Sequence, residues 1–206
     1  MAEHRLFDRD SIEVWNVQMI ILGKQIHEKR SAFLDEFIPV FQKHYDSIGN
    51  ENEQVHLVYK SQLNDAPMEK LLVEYERKDA FTRYSNAGIH KDDLIFEIKG
   101  HQVKKFGSQG QQKSFLIALR LAQYEWLKEH LGVLPILLLD DIFDKLDHTR
   151  VERLMKLVAN NYFGQVLVTD TDVQRVKTIF GESDLKATIF SVEDGKVEQL
   201  IESEAI

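Results

Sequence analysis

Two short stretches of the sequence hold residues whose types and spacing could do chemistry. The first is Pro135-Ile136-Leu137-Leu138-Leu139-Asp140-Asp141, an apolar run closed by two carboxylates. Such a run predicts a strand buried on both faces in the middle of a parallel sheet. Open α/β sheets bind ligands at the carboxyl ends of their strands. There Asp140 could hold a magnesium ion, usually through water, that bridges nucleotide phosphates. Asp141 could orient or deprotonate an attacking water. Acids also end buried strands simply to cap the next helix. The second acid, with Phe143-Asp144-Lys145-Leu146-Asp147 downstream, favours the chemical reading.

The second stretch is Phe106-Gly107-Ser108-Gln109-Gly110-Gln111-Gln112-Lys113, directly before a strong helical pattern. Small residues at 107, 108 and 110 let the backbone approach a ligand closely. A helix start aims free N–H groups and partial positive charge outward, and Ser108 adds a hydroxyl. That chemistry suits a γ-phosphate. The alternative is an ordinary N-cap for a helix whose core face is Phe115, Leu119, Ala122 and Trp126. One helix joins the loop to the carboxylate-tipped strand, and the pair is more specific than either part.

The elements that must position these residues follow from periodicity. Ile12, Trp15, Met19, Leu22 and Ile26 recur at helical spacing, and Phe33, Leu34, Phe37, Ile38, Phe41 and Tyr45 continue the pattern. With Ser31 as an N-cap, these predict two helices in an antiparallel pair. A strand is expected over 54–60, a helix from Pro67 that stops at Asn86–Gly88, and short strands over 94–98 and 102–106. A long helix (110–131), the apolar strand (136–140), a helix (149–160), a strand (165–169), a helix (173–180) and a strand (188–192) follow. Asp194-Gly195 then closes a terminal hairpin. Strands alternating with helices indicate a parallel α/β sheet. The expected organisation is a mainly helical arm with at least one strand (1–87), then an α/β lobe (88–206).

Composition sets limits. Net charge is −8; the first 105 residues carry 15 basic against 18 acidic side chains, the rest 11 against 16. Neither half is a basic domain, so nucleic acid would have to be met through a local patch. Lys104, Lys105, Lys113 and Arg120 near the second stretch are candidates, although they equally suit a solvated face. The absence of cysteine excludes disulfides and thiolate metal sites and fits a reducing compartment. No apolar stretch reaches membrane-spanning length and Met1–Asp10 lacks a signal-peptide core, so the expectation is a cytoplasmic protein.

Ser108-Gln109-Gly110-Gln111-Gln112-Lys113, followed by Leu137-Leu138-Leu139-Asp140-Asp141-Ile142-Phe143-Asp144-Lys145-Leu146-Asp147, closely resembles the RecF family of bacterial recombinational-repair ATPases, relatives of the SMC proteins among ABC-type heads. Gly88-Ile89-His90-Lys91-Asp92-Asp93 resembles that family's Gly-Pro-His-Arg-Asp-Asp, with two substitutions, and 15–19 and 29–34 resemble its helical arm. The resemblance implies the C-terminal half of an ABC-type P-loop NTPase head. In that reading Ser108, Gln109, Gly110 and Gln111 form a signature loop contacting ATP held by the other subunit. Asp140 is the Walker B acid on the magnesium side, and Asp141 stands where many ABC proteins carry a catalytic glutamate. Asp147 is the D-loop acid at a dimer seam. The class often has a switch histidine after the next strand; Val168-Thr169-Asp170-Thr171-Asp172 offers Thr169 or Asp170 instead.

A Walker A loop requires G-x-x-x-x-G-K-[ST]. The Gly23-Lys24 and Gly195-Lys196 pairs both fail that pattern. The expectation is therefore a piece of a longer protein that hydrolyses no ATP by itself. The resemblance implies a parent that binds ATP and magnesium, forms an ATP-dependent homodimer on duplex or single/double-strand junction DNA, works with RecR and RecO, and helps load recombinase. A non-catalytic docking module for a RecR-like partner is the alternative. An SMC-like head would need long heptad coils, and an unrelated hydrolase would need a G-x-S-x-G elbow, which is absent.

Overall fold

A computed structural model describes residues 9–49, 53–159, 163–181 and 187–202. The chain forms two compact units, Met1–Pro39 with Gln54–Lys105 and Val40–Glu53 with Phe106–Ile206. Among the described residues no helix is long and apolar enough to cross a membrane.

The expected pair of N-terminal helices is instead one helix, α1 (Arg9–Ile48), 40 residues long. The stretch His27-Glu28-Lys29-Arg30-Ser31-Ala32 contains no glycine or proline, and Ser31 sits inside the helix rather than capping one. Pro39 lies within α1 and removes one backbone donor without ending it. In the first unit α1 is followed by β1 (Val55–Lys60), α2 (Met68–Thr82), β2 (Asp93–Ile98) and β3 (His101–Gln102). The strands form an antiparallel sheet in the order β1-β2-β3, with Val55 opposite Ile98 and Lys60 opposite Asp93. Val55 and Leu57 are buried while His56 and Val58 are exposed, the alternation of a sheet with one covered face. The segment expected as a strand over 102–106 turns helical after two residues, as α3 (Val103–Phe106).

This unit is pinned around Asp92. Its Oδ2 accepts hydrogen bonds from Arg30 Nη1 on α1 and from Tyr59 OH on β1, both at 2.6 Å. Arg30 also donates to the Ile89 carbonyl at 2.9 Å. Gly23 lets α1 pass close to α2: a Cβ there would lie 2.6 Å from Met68 Cε.

The second unit takes the last turns of α1, then α4 (Gln109–Leu131), β4 (Leu137–Leu139), α5 (His148–Ala159), β5 (Val166–Val168), α6 (Val173–Gly181), and the hairpin β6 (Thr188–Glu193) with β7 (Lys196–Glu202). β4 and β5 pair in parallel, and β6 and β7 form a separate antiparallel sheet. The core gathers Ile48, Ile117, Leu121, Tyr124, Leu137, Leu139, Phe143 and Leu154. Phe115 packs its ring 4.8 Å from that of Tyr45 and 5.3 Å from that of Phe41. Gly132 ends α4 in a left-handed C-cap.

β4 departs from expectation in one respect. Leu137 and Leu139 are buried, but Leu138 is 66% exposed. Only one face of the β4–β5 pair is covered within these residues, so the apolar run lies half in solvent.

Candidate functional site

Every candidate nucleotide- or metal-site residue lies in the second unit. The start of α4 is a complete capping box: Ser108 Oγ accepts from Gln111 N at 3.2 Å, and Gln111 Oε1 accepts from Ser108 N at 2.9 Å. The box uses the Gln111 amide, and the Gln109 and Gly110 amides of the same first turn have no acceptor within the helix. Ser108 and Gln109 are exposed. Gly110 is small for a spatial reason, because a Cβ there would lie 3.1 Å from the Lys145 carbonyl oxygen and 3.5 Å from Arg150 Nη1.

Asp140 and Asp141 follow β4, and Thr169 follows β5, the strand paired beside it. The Thr169 hydroxyl donates to Asp140 Oδ1 and accepts from Asp141 N at 3.1 Å. Asp141 N also lies 3.1 Å from the Thr169 carbonyl oxygen, and Thr169 N donates to Leu139 O at 3.0 Å. Lys113, from α4, donates to the Asp141 carbonyl. Asp141 has φ +48°, in the left-handed region that aspartate enters more readily than most residues. The backbone here thus gives a physical reason for aspartate at this position.

The two candidates for the switch position are placed differently. Thr169 is exposed and touches Asp140. Asp170 is turned inward, its side chain fully buried against Arg175, whose Nη2 lies 2.6 Å from Oδ1. Burial by itself pushes the Asp170 carboxyl up, but the bond from Arg175 and the amides of Asp172 and Thr171 hold it below the usual value. Asp147 caps α5: its Oδ1 accepts from Arg150 N at 2.9 Å, and its Oδ2 lies 3.4 Å from the buried Arg150 Nε.

Sequence reasoning missed the side chains behind this surface. Arg150 is 4% exposed and faces Glu53, a residue from the segment after α1, with Nη2 3.0 and 3.2 Å from the two carboxylate oxygens. Arg150 Nη1 donates to Ser114 Oγ at 2.9 Å, and Ser114 Oγ donates to the Gly110 carbonyl at 2.9 Å. Gln111 Nε2 donates to Glu53 Oε1 at 2.9 Å, and Tyr45 OH to Glu53 Oε2 at 2.7 Å. Burial, then the bond to Glu53, push the Tyr45 phenol far up. One signal was available: a serine at 114 and an arginine at 150 interrupt otherwise apolar helix faces. Lys104 and Lys105 belong to the first unit, Arg120 bonds to Gln123, and Lys113 is committed to Asp141.

Among the described residues no group of three or more acidic or histidine side chains could hold a metal ion. Magnesium does not need one, since it keeps several waters and takes phosphate oxygens. The exposed carboxylate of Asp140, oriented by Thr169, fits that role. The first-turn amides of α4 and Ser108 fit a phosphate.

No family profile matches the chain. It is 49% identical over 191 residues to the DNA replication and repair protein RecF of Flavobacterium johnsoniae, covering 93% of this chain and 53% of that protein. Over most of its length the chain is similar in sequence to RecF proteins. The RecF of Phocaeicola vulgatus is 44% identical over 192 residues and that of Bacteroides fragilis 42% over 191, each covering 93% of this chain and 52% of the relative. The chain spans about half the length of the curated RecF relatives it matches. A solved structure of the recombination mediator RecF with ATP, in the RecFOR pathway, superposes with a TM-score of 0.70 at 23% identity, over 97% of this chain and 52% of that one. An Smc head domain from Pyrococcus yayanosii superposes at 0.54 and 16% identity, over 93% of this chain and 32% of that one. These likenesses establish the fold: an α/β portion of an ABC-type head of the RecF and SMC kind, with the helix-rich first unit alongside it in sequence.

Proposed function

We propose that this chain supplies the signature-loop side of an ATP-dependent dimer that acts on DNA in replication and repair. The carrying observation is the Ser108–Gln111 capping box at the exposed start of α4, whose first-turn Gln109 and Gly110 amides have no acceptor within the helix, in a chain 49% identical to a RecF. In this reading Ser108, Gln109, Gly110 and Gln111 grip the phosphates of ATP held by the other subunit. Asp140, steadied by Thr169, takes the magnesium side. Asp141 orients the attacking water, and Asp147 lies at the dimer seam. Thr169, rather than the inward-turned Asp170, senses the γ-phosphate. Residues 1–87 act as the arm and 88–206 as part of the head. ATP and magnesium are the ligands; duplex or junction DNA, RecR and RecO are the partners; the setting is the cytoplasm. The 206-residue chain hydrolyses no ATP alone, because it has no Walker A lysine for the β- and γ-phosphates.

The test mixes this chain with the full-length Flavobacterium johnsoniae relative and follows sedimentation with and without magnesium–ATP. The expected result is a heterodimer only with ATP, lost on Ser108→Arg. Association indifferent to ATP, or to Ser108→Arg, would overturn the reading. Magnesium-dependent hydrolysis by the chain alone, abolished by Asp141→Ala, would overturn the claim of inactivity.

A further inference from the structure

We propose that Glu53 and Arg150 are positioning residues: a buried pair that fixes which way the Gln111 amide points and thereby holds the signature loop in register with the loop that ends at Asp147. The inference rests on the reading of Gln109–Lys113 as the start of a nucleotide-facing helix, but its geometry stands without nucleotide.

A glutamine side chain carries an acceptor at one end and a donor at the other, and nothing in the residue itself chooses between its two orientations. Here the choice is made by Glu53. A carboxylate only accepts, so the nitrogen of Gln111 must face Glu53 Oε1, at 2.9 Å. The oxygen is then the end that meets Ser108 N, a group that only donates, at 2.9 Å. The reciprocal cap of α4 is therefore set by a residue 58 positions away. Rotating the amide by half a turn would set nitrogen against the Ser108 amide and oxygen against a carboxylate, breaking both bonds at once.

Arg150 completes the joint. Its guanidinium neutralises Glu53 and reaches the first turn of α4 through Ser114, whose hydroxyl holds the Gly110 carbonyl. Its backbone N–H bonds Asp147, and its Nε lies 3.4 Å from the same carboxylate. One arginine thus touches both loops, and a Cβ at Gly110 would lie 3.5 Å from its Nη1. The Arg150 and Glu53 side chains are 5% and 9% exposed. Buried pairs are often no more stabilising than apolar side chains of the same volume. What this pair adds is direction: five N–H donors in a fixed fork and a two-oxygen acceptor, which an apolar replacement could not supply.

The experiment is hydrogen exchange on the 206-residue chain without nucleotide, comparing wild type, Glu53→Gln, Arg150→Lys and the double variant Glu53→Gln/Arg150→Met. Glu53→Gln can present either end to Gln111, so the cap loses its fixed direction. The expected result is faster exchange at the amides of 108–112 by about tenfold, while the amides of β4 and β5 change by less than about twofold. Arg150→Lys keeps the charge but loses the fork, so the amides of 108–112 are expected to exchange faster than in wild type there too. The double variant leaves no unpaired charge, so it tests the loop if Glu53→Gln fails to fold. Unchanged exchange at 108–112, or a rise shared equally with β4 and β5, would overturn the proposal. Because ATP takes no part, loop deprotection alongside failed ATP-dependent association would sink the dimer reading and leave this one standing.

Discussion

His44 Nε2 lies 2.7 Å from Glu125 Oε2, and both side chains are withdrawn from solvent. Lys43 Nζ takes the other carboxylate oxygen at 2.9 Å. Burial holds the His44 imidazole below its ordinary value of 6.5, outweighing the pull of Glu125, and Lys43 acts in the same direction as burial. The unfolded chain then protonates first as pH falls. The stability tied to this histidine is fully present above 6.5 and is lost as pH drops below it. Urea midpoints of the second unit should fall between about pH 8 and about pH 5.5, a window above ordinary carboxylate titration. In His44→Gln that slope should largely vanish, and an equal slope in the variant would refute the assignment.

Asp92 is the counterpart in the first unit. Its side chain is 5% exposed, and one oxygen receives both Arg30 and Tyr59. The bond to Asp92 is the main reason the Arg30 guanidinium is raised above its ordinary value. Arg30 is itself half in water, so the pair is discounted for screening. Asp92→Ala should cost about 2 kcal/mol, mostly from leaving Tyr59 and Arg30 without their acceptor. Loss of exchange protection across β1 and β2 is the readout, and unchanged protection would contradict it.

The Thr169 hydroxyl serves two partners, the Asp140 carboxylate and the Asp141 amide. Thr169→Val keeps the shape and removes both bonds, and should cost about 1 kcal/mol in thermal unfolding. Thr169→Ser should stay within about 0.5 kcal/mol of wild type. If valine is tolerated as well as serine, the hydroxyl does not organise the two acids.

Much of the second unit was legible because its signals are local. The apolar run 136–139, the small residues of the loop and the Asp194-Gly195 turn each act over a few residues, and β4, the α4 cap and the β6–β7 hairpin follow them. The single helix α1 was not legible: an apolar stripe and a serine look alike whether the helix stops or continues, and only the lack of a breaker over 27–32 decides it. The joint at Glu53 was invisible for a different reason. Glu53 and Arg150 are 97 positions apart, and although Arg150 interrupts an apolar helix face, nothing local to Glu53 marks it as the buried partner. Lys113 misled in the opposite sense, looking like solvated charge while its ammonium holds the Asp141 carbonyl.

Leu138 and Leu167 stand opposite each other in the β4–β5 register, 66% and 48% exposed, with Ile136 nearby at 58%. A net charge of −8 keeps copies of the chain apart, but only over a screening length of about 8 Å at physiological salt. Inside that distance the contact is between hydrocarbon walls. Added salt shortens the repulsion, and sulfate strengthens the adhesion. Contact between copies through this patch is therefore expected to strengthen as ionic strength rises.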